Sequence, residues 1–531
     1  MKGAFRQLSA TQCLLGSSVA LALLALYLNS AGQLLAQAGF GDWRGLFRSS
    51  YFWHIIQFSL FQALLSTLLS TALGLVCAHA LHYQQFLGKG LLLKLCSLTF
   101  VLPTLVAVFG LLGVYGLSGW LNRTLMFFGQ GEPLSIYGLS GILLAHLYFN
   151  LPLATKLFYS ALQSIPSEQY KLAAQLNIRR LNLFTLLELP YLKKQLLPTA
   201  TLIFMLCFTS FAIVLTLGGG PKYTTLEVAI YQALTFDFDL ARAAMLAVVQ
   251  LLICSLLFRL SHVFTTHTST SGTPSHAFLP TPERTLRFFH RLALCALALF
   301  VALPLGNILM QGISSLNTLS TSTWTDIWRA TQYSLALACC AGMMCIGMSV
   351  ALLLCARQLH FYGFAKSARE LMNIGMVILA LPMLVIATGL YLALRDLDST
   401  WWLFGVVALC NALVAMPFAL RILQPVLYDN MQRYQRLCQS LGITGFSRFE
   451  WVEWNTLKQP LRSALAYACA LSLGDFTAIA LFGSQDLTSL PRLLYQQLGH
   501  YRTGDGALTA LVLLLLCAAL FLVIEKDDKT S

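Results

Sequence analysis

An all-α integral membrane protein, with about twelve spanning helices arranged as two tandem repeats, is the fold class this sequence predicts. Three observations carry that expectation. Apolar residues make up 57% of the 531 residues and charged residues only 10%, for a mean hydropathy of +0.71. The apolar residues gather into runs of about 20, the length that crosses a bilayer core as a helix. The second half of the chain also repeats, at nearly constant offset, spaced residues of the first.

Composition comes first because it fixes the solvent. A soluble domain carries about 25% charged residues, and its surface must be covered with polar groups. A chain this apolar finds its solvent in lipid, where a helix satisfies its own backbone. The first six runs lie near 13–35, 54–80, 92–115, 136–159, 197–217 and 240–261. The second six lie near 289–312, 332–356, 370–394, 401–423, 461–482 and 507–525. Met1 to Gln12 is short and basic, and the run from Cys13 to Leu28 lacks a small-residue cleavage site. It reads as a first membrane helix that starts inside.

The formal net charge of +13 has two readings. Nucleic acid is not expected, because no basic stripe is interleaved with exposed aromatics. With the N-terminus inside, Lys193, Lys194, Arg287, Arg291, Arg357, Lys366, Arg369 and Arg448 fall on the cytoplasmic side, beside anionic membrane lipid, as the positive-inside rule requires. Both termini are then cytoplasmic. The fourteen cysteines do not form a disulfide pattern. Most sit inside apolar runs, as Cys77, Cys96, Cys207, Cys254 and Cys410 do, where cysteine acts as a small hydrophobe. No His cluster accompanies them, so neither a metal site nor a cofactor is expected.

Residues 262–287 are rich in Ser, Thr and Pro and read as a cytoplasmic linker. On either side the chain repeats. Leu102-Pro103-Thr104-Leu105-Val106 and Gly110 match Leu381-Pro382-Met383-Leu384-Val385 and Gly389 at an offset of 279. Pro152 matches Pro417 at 265, and Thr224, Leu226, Tyr231 and Gln232 match Thr488, Leu490, Tyr495 and Gln496 at 264. Each half has an even number of helices, so the copies are parallel, related by an axis along the membrane normal, with a pathway expected on that axis. The expected layout is a first helix and external loop (1–50), a first repeat (51–261), the linker (262–287), a further helix and loop (288–331), a second repeat (332–525) and a tail (526–531).

Two charged loops, between the fourth and fifth helix of each half, hold the functional signal. Their cores align as Leu172-Ala173-Ala174-Gln175-Leu176-Asn177-Ile178 and Leu437-Cys438-Gln439-Ser440-Leu441-Gly442-Ile443. Leu at i and i+4 gives each a short helix with one apolar face. Asn177 and Gly442 follow, the residue types that most readily turn left-handed and end a helix. A basic, amphipathic segment comes next.

These loops resemble the signature of the binding-protein-dependent permeases of ATP-binding-cassette importers. That signature is Glu-Ala-Ala, three residues, Gly, and a Pro thirteen residues further on. Asn177 and Gly442 take the Gly position, and Pro190 the Pro position. The chain departs from the pattern at Lys171 and Arg436, which stand at the Glu positions, and at Asn455, which stands for the second Pro. The resemblance implies two type I importer permease repeats fused in one chain. It also implies a coupling helix in each loop, docked on an ATP-binding subunit, with Ala173, Ala174, Leu176, Asn177, Leu437, Leu441 and Gly442 as the coupling residues. Four segments are similar to the thiamine-importing branch of that family: SYFWHIIQFSLFQALLS at Ser50–Ser66, LGGGPKYTTLEVAIYQAL at Leu217–Leu234, YQQLGHYRTGDGALTAL at Tyr495–Leu511 and VIEK at Val523–Lys526. They imply import of thiamine or its phosphates across a bacterial inner membrane, with two copies of an ATP-binding subunit and a periplasmic thiamine-binding protein as partners. Ferric-iron permeases share the fused architecture and remain an alternative, as does an ion-coupled secondary transporter.

The chain itself has no GxxxxGK[ST] loop, so ATP hydrolysis is expected in a partner and no catalytic residue is assigned. His146 and Asn150, one turn apart, are expected to make interhelical hydrogen bonds. Asp475 lies about fifteen residues beyond Pro460, roughly 22 Å along a helix. A carboxylate at that depth is a functional candidate. With Phe476 and Phe211 it would offer charge and rings to an aromatic cation. The alternative is a carboxylate that hydrogen-bonds backbone in a kink at Gly474.

Overall fold

The computed structural model describes residues 10–129, 132–178, 180–264, 284–316, 321–379, 381–394, 399–443, 445–483, 488–500 and 502–528. Most of the expected linker, Arg179 and the end of the tail lie outside the described residues. Among the described residues every regular element is helical. Among the described residues, nine helices are long and apolar enough to cross a membrane: Cys13–Ala38, Ser50–Tyr83, Thr104–Phe127, Leu139–Gln163, Leu240–Arg259, Arg284–Ser315, Thr321–Phe361, Trp401–Tyr434 and Thr503–Ile524. Leu181–Phe208 and Phe211–Leu217, bent by 53°, make a tenth.

The two remaining apolar runs are split into shorter helices. Residues 370–394 become Ala365–Met376 and Met383–Leu394, and 461–482 become Trp454–Gly474 and Thr477–Phe482. Proline explains the first split. Pro382 has no N–H to donate, and it drives the residue before it out of the helical region. Its repeat partner Pro103 makes the same break between Lys89–Val101 and Thr104–Tyr115. Pro152 and Pro417 instead lie inside continuous helices.

Packing follows the repeat. Ser50–Tyr83 packs on Leu139–Gln163 and on Leu189–Phe208. Thr321–Phe361 packs in the same way on Thr400–Ser440 and on Trp454–Gly474. The leading helices cross over. Ala10–Ala38 packs against Thr321–Phe361 and Met383–Leu394 of the second half, and Arg284–Ser315 packs against Thr104–Tyr115 and Ser50–Tyr83 of the first. The matched glycines sit at these crossings. A Cβ on Gly110 would stand 2.8 Å from the carbonyl oxygen of Pro304, and one on Gly389 would stand 2.5 Å from that of Ser30. Small residues let helix backbones approach this closely where lipid supplies no hydrophobic drive.

Two short helices, Leu226–Thr235 and Leu490–Gly499, are pinned alike. The Leu226 amide donates to Ser59 Oγ at 3.0 Å, and the Leu490 amide donates to Ser334 Oγ at 2.8 Å. A hydroxyl thereby satisfies one of the free N–H groups at each helix start. All fourteen cysteines are unpaired.

Candidate functional site: two helix-ending loops and an aromatic column

The loop helices end as their residue types dictate. Ser167–Gln175 stops at Leu176, and Asn177 follows with φ 54°. The Asn177 amide donates to Ala174 O at 3.1 Å and the Ile178 amide to Ala173 O at 2.9 Å. In the second half Gly442 has φ 66°, and the Ile443 amide donates to Cys438 O at 2.9 Å. The bond from two residues past the cap back to the last turn is the Schellman arrangement, which requires a left-handed residue at its centre.

Ala173 is buried beneath its helix, while Ala174, Leu176 and Asn177 face outward. Leu172 and Leu176 are 55% and 64% exposed, and Leu437 and Leu441 are 54% and 64% exposed. Each loop therefore presents a pair of leucines one helical turn apart. Glu168, in the first turn, accepts from Ser167 Oγ at 3.0 Å. Hydrogen bonds from its own backbone N–H and from Ser167 hold its carboxyl below the usual range.

The halves differ in one respect that was not expected. The first loop helix is separate, cut off by Ser164-Ile165-Pro166. The second is not a separate helix at all, but the end of the unbroken Thr400–Ser440. Met431 stands where the offset of 265 would place a partner for Pro166, so no proline breaks the backbone at the entry to the second loop, although Pro417 and Pro425 lie further up the same helix.

Inside the membrane the structure brings Phe211 and Phe476 together. These repeat-equivalent rings stack across the two halves, 5.9 Å apart at 12°, and each side chain is buried. Tyr231 lies edge-on to Phe211 at 5.1 Å, and Tyr495 is tilted against Phe476 at 5.0 Å. Tyr231 in turn meets Phe236 at 6.0 Å, beside a cavity of about 340 Å³ lined by Tyr51, Gln232, Phe236, Asp237 and Arg242. Asp475 points elsewhere. Its Oδ2 accepts from the Ala478 amide at 3.2 Å, capping Thr477–Phe482 in the break after Gly474. His146 Nδ1 pairs with Ser66 Oγ at 2.9 Å, and Asn150 Nδ2 donates to Cys207 Sγ at 3.2 Å, both between helices as expected.

Residues 70–269, which include the first loop, match the family of binding-protein-dependent transport system inner membrane components. The thiamine transport system permease protein of Haemophilus influenzae is 51% identical over 519 residues, covering 97% of this chain and 96% of that protein. The protein of the same name from Escherichia coli K12 is 45% identical, covering 91% of each. That from Brucella abortus is 39% identical, covering 95% and 92%. This chain belongs to that family. It is a multi-pass inner-membrane permease component of a binding-protein-dependent importer.

The permease also holds two buried carboxylates that its sequence did not advertise. Glu188 and Glu453 are fully buried, each ending a single turn of π-helix, Phe184–Glu188 and Phe449–Glu453. Glu188 accepts from Tyr83, pairs with His79 at 3.1 Å and meets Tyr170 Oη at 3.3 Å. Glu453 pairs with Arg357 and with Arg448 Nε at 2.8 Å. The available signal was their common offset of 265 in otherwise dissimilar sequence.

Proposed function

We propose that this permease imports thiamine, driven by ATP hydrolysis in a separate ATP-binding subunit present in two copies and supplied by a periplasmic thiamine-binding protein. The observation that carries the substrate is identity over nearly the whole chain to proteins named for thiamine transport. The two loops support the drive. Two helices at repeat-equivalent places end on left-handed residues and offer outward leucines, a surface suited to a groove on a partner. Ala173, Ala174, Leu176 and Asn177 form one docking helix, and Leu437, Leu441 and Gly442 belong to the other. The repeats at 51–261 and 332–525 each contribute one, and the basic loops keep both termini in the cytoplasm.

The cargo's chemistry suits the aromatic column. Thiamine is an aromatic cation, and ring faces attract such a charge. Phe211 and Phe476 are the rings such a cation would meet, while Asp475 is engaged with the Ala478 amide. Cells lacking the permease should take up labelled thiamine only when the chain is restored together with its ATP-binding subunit. Normal thiamine uptake without the chain, with ferric-iron uptake lost instead, would overturn the substrate assignment.

Asp475 separates charge from capping. Asparagine caps a helix as well as aspartate does, so Asp475→Asn is expected to keep uptake within about twofold, whereas Asp475→Leu loses a cap worth about 1 kcal/mol and lowers the amount of folded permease. Uptake lost with Asn at full protein level would give the charge itself a role in holding the cation.

A further inference from the structure

The two π turns sit where each cytoplasmic loop runs back into the membrane. They are the only π turns among the described residues. A π turn is rare, and it occurs mostly as a single turn within a longer helix, frequently at functional sites. A carboxylate without exposed surface persists only where charged or hydrogen-bonding partners surround it. Both conditions are met twice, at the same place in each repeat.

The partners come from the same elements in both halves. From Ser50–Tyr83, the second membrane helix of the first half, His79 and Tyr83 reach Glu188. From its counterpart, Arg357 reaches Glu453. His82, one residue before Tyr83, and Arg357 are related by the same offset of 275 that relates Ser59 to Ser334. A second contact comes from the loop: Tyr170, on the first docking helix, reaches Glu188, and Arg448, just past the second, reaches Glu453. The first cage extends further, since His79 Nδ1 lies 3.0 Å from His290 Nε2 on Arg284–Ser315. The chemistry therefore differs, imidazole and phenol on one side and guanidinium on the other, while the position of the carboxylate does not. Two different partner sets serving one position indicate that the tie between loop and membrane helix is the common requirement.

We propose that Glu188 and Glu453 are positioning residues that join each docking helix to the second membrane helix of its half, so that a displacement imposed on the loop is passed into the membrane. This rests on the reading of the two loops as docking sites for the ATP-binding subunit. The physical ground is that neither carboxylate can leave its cage without standing unpaired in a water-free interior. Loop, π turn and second helix therefore travel together.

The test uses the full permease with its ATP-binding subunits in proteoliposomes and thiamine-loaded binding protein outside. Hydrolysis is measured against binding-protein concentration. Glu188→Gln and Glu453→Gln remove the charge and keep the shape. Each is expected to retain the ATP-binding subunit on purification and to keep the half-maximal binding-protein concentration within about twofold, while maximal stimulation of hydrolysis falls about tenfold or more. Tyr83→Phe deletes one hydrogen bond and leaves the carboxylate, so it serves if a Gln variant fails to accumulate. Its maximal stimulation is expected to fall about threefold. Full stimulation per complex in these variants would defeat the proposal, as would a loss that merely follows the amount of protein. Leu441→Asp, on the outward face, is expected to release the ATP-binding subunit altogether. If it does not, the docking reading fails, whatever the glutamate variants do.

Discussion

Gly442→Pro is expected to abolish thiamine uptake while the permease still inserts and accumulates. Gly442 has φ 66°, and proline is fixed near −65°, so the Schellman end of the second loop helix cannot form. Proline also disfavours the helical conformation of Leu441 before it, and so disturbs the outward leucine next to the break. Crowding is not the obstacle, because a Cβ on Gly442 would meet nothing within 4 Å. That separates backbone conformation from space. Gly442→Asn is expected to leave uptake within about twofold, because asparagine visits the left-handed region readily and already does so at Asn177, φ 54°. Gly442→Ala should fall between, at about 1–2 kcal/mol for a left-handed residue bearing a Cβ. Uptake assays on cells with matched permease levels order the three. Normal uptake by the proline variant would remove the second loop from the drive mechanism.

Gly389→Val is expected to eliminate folded permease, and it acts through the crossing of the leading helices. Even alanine there places its Cβ 2.1 Å from Ser30 Oγ and 2.5 Å from Ser30 O. The serine side chain can be removed, but the carbonyl belongs to the backbone of the crossing helix and cannot. Overpacking of this kind costs about 1–3 kcal/mol where the neighbours can shift. Gly389→Ala should therefore lower the thermal midpoint in detergent, and Ser30→Gly should restore only part of the loss. Ser30 Oγ also donates to Ile386 O, so removing it carries a cost of its own. Gly110→Ala, whose nearest contact is 2.8 Å from Pro304 O, should be milder. An equal effect at both glycines would mean that the two crossings are not packed as described.

Much of this was legible in the sequence, for physical reasons that differ from element to element. The spans were readable because a bilayer demands about 20 apolar residues per crossing. The left-handed ends were readable because few residue types tolerate positive φ, and Asn177 and Gly442 are two of them. The crossing of the leading helices was not, since lipid-facing and protein-facing sides of such helices are both apolar and the pattern does not say which side meets which partner. The joining of the second loop helix to Thr400–Ser440 turned on the absence of a proline at Met431, a negative signal visible only once the repeats are aligned. Glu188 and Glu453 look like ordinary loop charges in sequence. Their partners, His79, Tyr83 and Arg357, lie about a hundred residues away, beyond the reach of any local pattern. Phe211 and Phe476 were paired by the repeat, whereas the tyrosines flanking them became visible only in space.

The ring column bears on a cost that every pore in an energised membrane faces. Protons travel along chains of hydroxyls, carboxylates and water. Tyr231 and Tyr495 each supply a hydroxyl, whereas the Phe211 and Phe476 rings they pack on have no group able to take up or release a proton. Each half supplies one of the two phenyl rings, so a relay across the membrane would have to part both halves at the middle of the stack. If the cargo's path runs through this stack, the column at rest would act as electrical insulation and would guard the ion gradient that the rest of the cell spends on other work.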